Sequence, residues 1–146
     1  GSDLRQVTAT KALFIRANLR ETNLSRADLR DCHLNDANLV RASLHEADLT
    51  SAFPGGFTVI NLANLEGADL RGARLRNCSA QDANFRNANL TGVDFTNAVL
   101  GGAILRRADV TDANFSGVEL ATVTMEFANF SKARNAVVPS YKKNLR

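Results

Sequence analysis

Ala27-Asp28-Leu29-Arg30-Asp31, Cys32-His33-Leu34-Asn35-Asp36 and Ala37-Asn38-Leu39-Val40-Arg41 follow one another without a gap, and all three obey one pattern. A small residue comes first, then a polar one, then leucine, then two residues that vary. Outward from this stretch the small residue recurs every five positions from Val7 to Ala52, and its partner two residues later runs from Ala9 and Phe14 to Leu49. The pattern then breaks and resumes one residue out of phase. Its second run has small residues from Ala63 to Ala133, with partners that include Leu65, Ala80, Phe85, Phe95, Phe115, Phe130 and finally the polar Asn135. Such regularity is read before any secondary-structure assignment, because it decides the architecture.

A period of five fits neither a helix at 3.6 residues per turn nor a flat strand at two. It fits a chain that advances along one side of a square and then turns. The small and the large residue of each unit then point inward, and the other three face water. Charges offer an independent measure of coil length. At a spacing of 20, Lys11/Asp31, Arg16/Asp36, Glu21/Arg41 and Arg26/Glu46 are all opposite in sign. Opposite charges on adjacent chains attract modestly, so this is the spacing expected of stacked neighbours. At a spacing of 15, three of the four charged pairs, among them Lys11/Arg26 and Arg26/Arg41, are like-charged. Glu66/Arg86, Arg106/Glu126 and Asp112/Lys132 extend the pattern in the second run, and Arg86/Arg106 is its exception.

The motif Ala-(Asp/Asn)-Leu-x-x, as in Ala27 to Asp31 or Ala68-Asp69-Leu70-Arg71-Gly72, resembles that of the pentapeptide-repeat proteins. The resemblance runs from about Asp3 to Val138. It implies an all-β fold, a right-handed quadrilateral parallel β-helix with four pentapeptides per coil and about six coils stacked at roughly 4.8 Å. It also implies a bacterial, especially cyanobacterial, setting, with homologues in plant plastids. The expected organisation is one repeat domain, with repeats over about 3–50 and 58–138, an insertion at 51–58 and a tail at 139–146.

Function is expected where the repeat fails. Ser51-Ala52-Phe53-Pro54-Gly55-Gly56-Phe57-Thr58 carries a proline and paired glycines, which stop a ladder and mark a loop. The frame shifts by one, so the insertion is one residue, alone or with one or two whole repeats. Phe53 and Phe57 either fold back to plug the bulged coil or present an exposed aromatic loop to a partner. Phe127 occupies a position that faces solvent, as do Val99 and Ile104. It either packs under the C-terminal tail or belongs to a partner surface. Phe53, Pro54, Gly55, Gly56, Phe57 and Phe127 are therefore the candidate interaction residues. Pro139 and Tyr141 are positioned to cap the end of the rod.

The 146 residues contain 18 Lys and Arg against 15 Asp and Glu, and the surplus is Lys142, Lys143 and Arg146 in the tail. A neutral body with a short basic end argues against nucleic acid and an anionic membrane as partners. Gly1-Ser2 reads as a cloning remnant and the chain as an excised domain or a trimmed mature form. The start has neither the basic flank nor the apolar stretch of a signal peptide, so a cytoplasmic location is expected, or a plastid or thylakoid lumen for a plant homologue.

Chemistry is sparse. Cys32 and Cys78 fall at the inward small position on different coils, beyond disulfide reach. His33 and His45 face outward without neighbours at metal-ligand spacing. Asp28, Asp48, Asp69, Asp94 and Asp109 share one repeat position on a convex, solvated surface, where nothing shifts a carboxyl toward acid–base work. No cofactor, metal or catalysis is expected. The reading is a non-enzymatic scaffold or interaction module for another protein, monomeric or weakly dimerised end to end. Two alternatives come with it. The family resemblance brings DNA-mimicking proteins that protect DNA gyrase from quinolones, which need an acidic face that this balanced body lacks. Direct nucleic-acid binding would rest on Arg71, Arg74, Arg76, Arg106, Arg107 and the tail, and neighbouring acids dilute that patch.

Overall fold

The computed structural model describes residues 1–143. Parallel bridges join positions 20 apart, so that Asp3 pairs with Asn23, Thr8 with Asp28, Leu13 with His33 and Asn18 with Asn38. Each coil thus carries four bridges, one to a side. The first side is bridged in series through Asp3, Asn23, Ser43, Asp69, Asn89 and Asp109, which gives six stacked levels. The second side runs through Thr8, Asp28, Asp48, Arg74, Asp94, Asn114 and Arg134. The third runs through Leu13, His33, Val59, Ser79 and Val99, and the fourth through Asn18, Asn38, Asn64, Asn84, Ile104 and Thr124. Among the described residues every bridge is a single residue, and no side lengthens into an extended strand.

The unit Asn23 to Ala27 shows why five residues suffice. Leu24 N–H donates to Ser43 O at 2.7 Å and Arg26 N–H to His45 O at 2.8 Å, both on the next coil. Asn23 N–H reaches back to Ser2 O at 2.9 Å on the coil below. Ala27 N–H closes a turn onto Leu24 O at 3.0 Å. The remaining donor, Ser25 N–H, meets the Asn23 side chain at 3.1 Å. All five donors are satisfied, which explains the Asn or Asp before the large residue: its short side chain serves the one N–H that the ladder leaves over. The turn holds Arg26 at φ +58, the left-handed conformation that a type II turn demands at its third residue. The same conformation recurs at Lys11, Arg16, Glu21, Asp31, Asp36, Arg41 and Glu46.

Inside, the inward leucines from Leu24 to Leu75, Leu62 not among them, fill the tube with no exposure above 1%. Each contributes on the order of 1.5–3 kcal/mol of transfer free energy. Farther along, Phe85, Phe95, Phe115 and Phe130 form a continuous aromatic column, edge to face, then stacked, then tilted, with successive centroids 5.9, 5.2 and 5.0 Å apart. Leu4, Val7, Ala9 and Phe14 of the first coil are only partly buried.

The insertion is one pentapeptide plus one residue. His33 bridges to Val59 and Asp48 to Arg74, where the bridging interval widens from 20 to 26, and it returns to 20 between Val59 and Ser79. The second run begins at Thr58, earlier than Ala63: Thr58 is fully buried in the small position and Ile60 fills the core. Thr58 lies between Cys32 and Cys78, whose carbonyls accept from Val59 and Val99 while Thr58 O accepts from Ser79. The two cysteines are therefore two coils apart and free. At the far end a 3₁₀ turn at Phe130–Lys132 and another at Ser140–Lys142 replace the square coil. Tyr141 Oη donates to Ala121 O at 3.2 Å and Lys142 Nζ donates to Val123 O, so the tail covers part of the exposed edge, as its sequence suggests.

Candidate functional site

The loop between Leu49 and Ile60 is closed at its neck by hydroxyls. Thr58 N–H donates to Ser51 Oγ at 2.8 Å, Thr58 Oγ1 donates to Thr50 O at 3.1 Å, and Asp31 N–H donates to Thr58 Oγ1 at 2.8 Å. Beyond the neck, Phe53-Pro54-Gly55-Gly56 makes a tight turn, with Gly56 N–H donating to Phe53 O at 2.9 Å. Proline presets the second position, and Gly55, at φ +67, takes the left-handed third. Gly56 is buried, and a Cβ there would stand 2.7 Å from Phe53 O and 3.0 Å from Ser51 Cβ. Sequence and geometry agree that only glycine fits.

This turn holds Phe53 and Phe57 outside the rod. They are 51% and 59% exposed and meet edge to face, with ring centroids 5.4 Å apart. The plug expected as one alternative does not form: Ser51, Gly56 and Thr58 occupy the neck and leave no room for a ring. Phe57 borders a shallow cleft of about 320 Å³ with Lys11, Asp31 and His33. The turn tip leans the other way, with Pro54, Val99 and Glu119 lining a second cleft of about 410 Å³. The loop thus lies along the corner between the second and third sides, from the level of His33 to that of Val99.

Outward apolar side chains gather on the third side. Leu13 is 72% exposed, Ile15 50% and Leu62 58%, and Val59 and Val99 are half-buried in the same face. Among the described residues the second side from Thr8 to Asn114, with Asp28, Arg30, Asp48, Arg74, Arg76 and Asp94, bears no outward apolar side chain of that size. Backbone chemistry differs accordingly. On the second side Asp28, Asp48, Asp94 and Asn114 each accept the N–H two residues on. On the third side Leu13, Val59 and Val99 cannot, and among the described residues only Glu119 and the borrowed amide oxygen of Asn61 supply such a bond.

Phe127 is 59% exposed and does not lie under the tail. Its ring instead faces two guanidinium groups on the coil below, Arg106 at 5.8 Å and Arg107 at 5.4 Å. It belongs to the fourth side and is not brought together with the Phe53 to Phe57 loop.

Charged groups elsewhere pair with one another. Arg30 closes on Asp28, and Arg71 on Asp69, both at 2.7 Å, and these hydrogen bonds hold the carboxyls below the usual range. At Asp94 burial pushes upward, but the Thr96 hydroxyl and N–H and the nearby Arg76 outweigh it, and the value falls. A lowered carboxyl is the signature of an ion pair and not of a general acid. Of the charge columns expected at spacing 20, Arg26 and Glu46 close at 2.7 Å and Arg41 and Glu21 at 3.8 Å. Arg74 reaches Asp48 at 3.1 Å and Arg76 reaches Asp94 at 3.3 Å, so two arginines of the candidate nucleic-acid patch are neutralised within the protein. Burial pushes the Cys32 and Cys78 thiols up to about 12, the opposite of nucleophile activation. Among the described residues no group of histidines, cysteines or carboxylates is placed to hold a metal, and no helix is long and apolar enough to cross a membrane.

The family model for pentapeptide repeats matches in eight copies, over residues 1–36, 22–53, 61–97 and 94–134. Its matches leave out 54–60, where the loop stands. Among solved structures the chain is similar to HetL, a pentapeptide repeat protein involved in heterocyst differentiation regulation from the cyanobacterium Nostoc sp. strain PCC 7120. The identity is 30% and the TM-score 0.59, over 93% of this chain and 65% of HetL. The chain thus spans about two thirds of that protein's length. It is also similar to Rfr23, a pentapeptide repeat protein from the cyanobacterium Cyanothece 51142, at 22% identity and a TM-score of 0.51, over 94% of this chain and 88% of that one. No curated protein matches the chain.

Proposed function

This chain belongs to the pentapeptide-repeat family, and from that footing we propose that it is a non-enzymatic interaction module, a right-handed four-sided β-helical rod that holds another protein on its third side. One observation carries the reading. The exposed Leu13, Ile15 and Leu62 fall on the third side with the exposed Phe53–Phe57 pair at its edge, while the second side carries charged and polar groups outward. Exposed aromatic rings held by a rigid turn are the kind of anchor on which interface energy concentrates, because they order few rotors on binding. The clefts on either side of the loop, bordered by Phe57 and by Pro54, give such a partner two shallow recesses.

Replacing Phe53 and Phe57 together with serine tests the proposal. The expected result is an unfolding free energy within about 0.5 kcal/mol of the parent, as for exposed positions, with loss of partner capture. Lost stability with unaltered capture defeats it. The gyrase-directed alternative requires a continuous acidic face, and the second side instead alternates Asp48, Arg74 and Asp94. Its test is a gyrase supercoiling assay with a quinolone, in which this protein is expected to give no rescue.

A further inference from the structure

We propose that Arg86, Arg106, Arg107 and Phe127 on the fourth side form a receptor for one carboxylate of an acidic protein segment, separate from the third-side surface. The four residues stand in register on successive coils. Asn87 N–H donates to Arg106 O at 3.1 Å, and Arg107 N–H donates to Glu126 O at 3.0 Å. Glu66, Arg86, Arg106 and Glu126 are therefore stacked one above another, with Arg107 and Phe127 in the next column.

In several other columns a stacked arginine finds a carboxylate, as in Arg26–Glu46, Arg41–Glu21 and Arg74–Asp48. Here two arginines sit at adjacent levels, roughly 4.8 Å apart, where like charges repel. Among the described residues neither Arg86, Arg106 nor Arg107 has a carboxylate within ion-pair distance. The Nε atoms of Arg86 and Arg106 and the Oε2 of Glu126 are buried without a hydrogen-bond partner. A buried donor left unpaired forfeits its water without gaining a partner, so an incoming anion has a real deficit to relieve.

Phe127 adds the second element. It takes the left-handed corner conformation, at φ +62, which asparagine or glycine adopts more cheaply. A bulky ring there costs stability, and what it does is hold the Arg106 and Arg107 guanidinium groups against its face while remaining 59% exposed. A guanidinium steered by a ring offers a preset fork to a carboxylate, and the rest of the ring offers apolar contact to a neighbouring side chain.

The flanking charges choose between ligands. Glu66 and Glu126 close the positive strip at its two ends, and the exposed Asp109 stands two residues beyond Arg107, past the corner. A polyanion running along or across the rod meets a carboxylate in each of these directions, whereas a single acidic side chain does not. Free phosphate satisfies the arginines but leaves the ring unused. An acidic segment with an apolar neighbour uses both.

The test is a titration of the protein with a blocked Ala-Glu-Leu-Ala peptide, which carries a single carboxylate beside an apolar side chain, followed by NMR at the arginine Nε–Hε groups and the Phe127 ring. The proposal expects the Arg86 and Arg106 Hε signals and the ring signals to move together. It expects Arg106→Gln to weaken the peptide about tenfold, the value of one charge-assisted hydrogen bond. Phe127→Asn, which suits the left-handed corner, should weaken binding without lowering the unfolding midpoint. Four results overturn the proposal. They are no shift with peptide, an equal shift with inorganic phosphate alone, tighter binding of a ten-residue oligothymidylate, and an Arg106 Hε signal already displaced by a Glu126 pair that Glu126→Gln abolishes.

Discussion

The second and third sides are built on the same coils by the same repeat, and they differ only in what they show to water. Inward they are equivalent: Leu29 and Leu49 on one side and Leu34 and Ile60 on the other are all sealed from solvent. Outward, the second side catches spare backbone donors with Asp28, Asp48, Asp94 and Asn114, and it pairs its charges along the rod. The third side forgoes most of those bonds and exposes Leu13, Ile15 and Leu62 beside the Phe53–Phe57 loop. Each absent side-chain bond is worth about 0.5–1.5 kcal/mol. The fold does not need this sacrifice, which is why the proposed partner surface is placed on the third side.

The largest effects should show that the insides match. Leu29→Ala and Leu34→Ala are each expected to lose about 2–5 kcal/mol of unfolding free energy in urea melts, and to lie within about 1 kcal/mol of each other. A much smaller loss at Leu34 undoes the equivalence, because the third side is then loose inside as well as apolar outside.

Next come the spare donors. Asp94 accepts the Thr96 N–H at 3.0 Å, the Thr96 hydroxyl and an Arg76 nitrogen at 3.3 Å. Asp94→Ala is expected to cost about 1–2 kcal/mol by chemical unfolding. The reverse graft on the third side, Val99→Asn, gives the Gly101 N–H an acceptor and should gain up to about 1 kcal/mol. No gain there means that water already serves that donor equally well.

Corner residues divide the two sides in the same way. Leu62 stands at φ +60 on the third side and Asn97 at φ +56 on the second. Leu62→Asn should raise stability by about 0.5–1 kcal/mol and Asn97→Leu should lower it by a similar amount, read as opposite shifts in thermal midpoint.

The smallest effect is in acid. Hydrogen bonds from Arg30 lower the Asp28 carboxyl, and the donors around Asp94 lower that group against the upward push of its burial. Between the folded and the unfolded values the unfolded chain binds more protons, so stability there rises with pH. The contribution is complete above about pH 4, where unfolded aspartate is ionised, and is lost as pH falls through the lowered folded values. Asp28→Asn with Asp94→Asn should flatten this acid limb in melts recorded from neutral pH downward.

Much of the rod is legible in the sequence because it follows from a period. Small and large positions recurring every five define the inward columns, and the stacked charges define the coil length without any bridge in view. The third-side surface is not legible, and the insertion is the reason. Leu13, Val59 and Val99 fall in one column only because the interval from His33 to Val59 is 26 and not 20. An insertion of one residue plus an unknown number of repeats leaves the upper coils free to rotate by a whole side. The turn at Phe53–Gly56 is visible in its proline and glycines, yet the outward position of the two rings depends on hydroxyls at Ser51 and Thr58 that occupy the neck. The Phe127 setting is within reach of the sequence, since Arg107 lies one coil earlier and the same spacing that pairs charges also stacks a ring on a guanidinium.

Photo-cross-linking in the source cell decides whether the third side is the working surface, with benzoylphenylalanine placed at Phe57 and, in a parallel protein, at Arg76 of the second side. The expected outcome is a discrete protein adduct from position 57 that disappears with Phe53→Ser, and none from position 76. Adducts in equal yield from both positions, or none from position 57, would contradict a third-side interface.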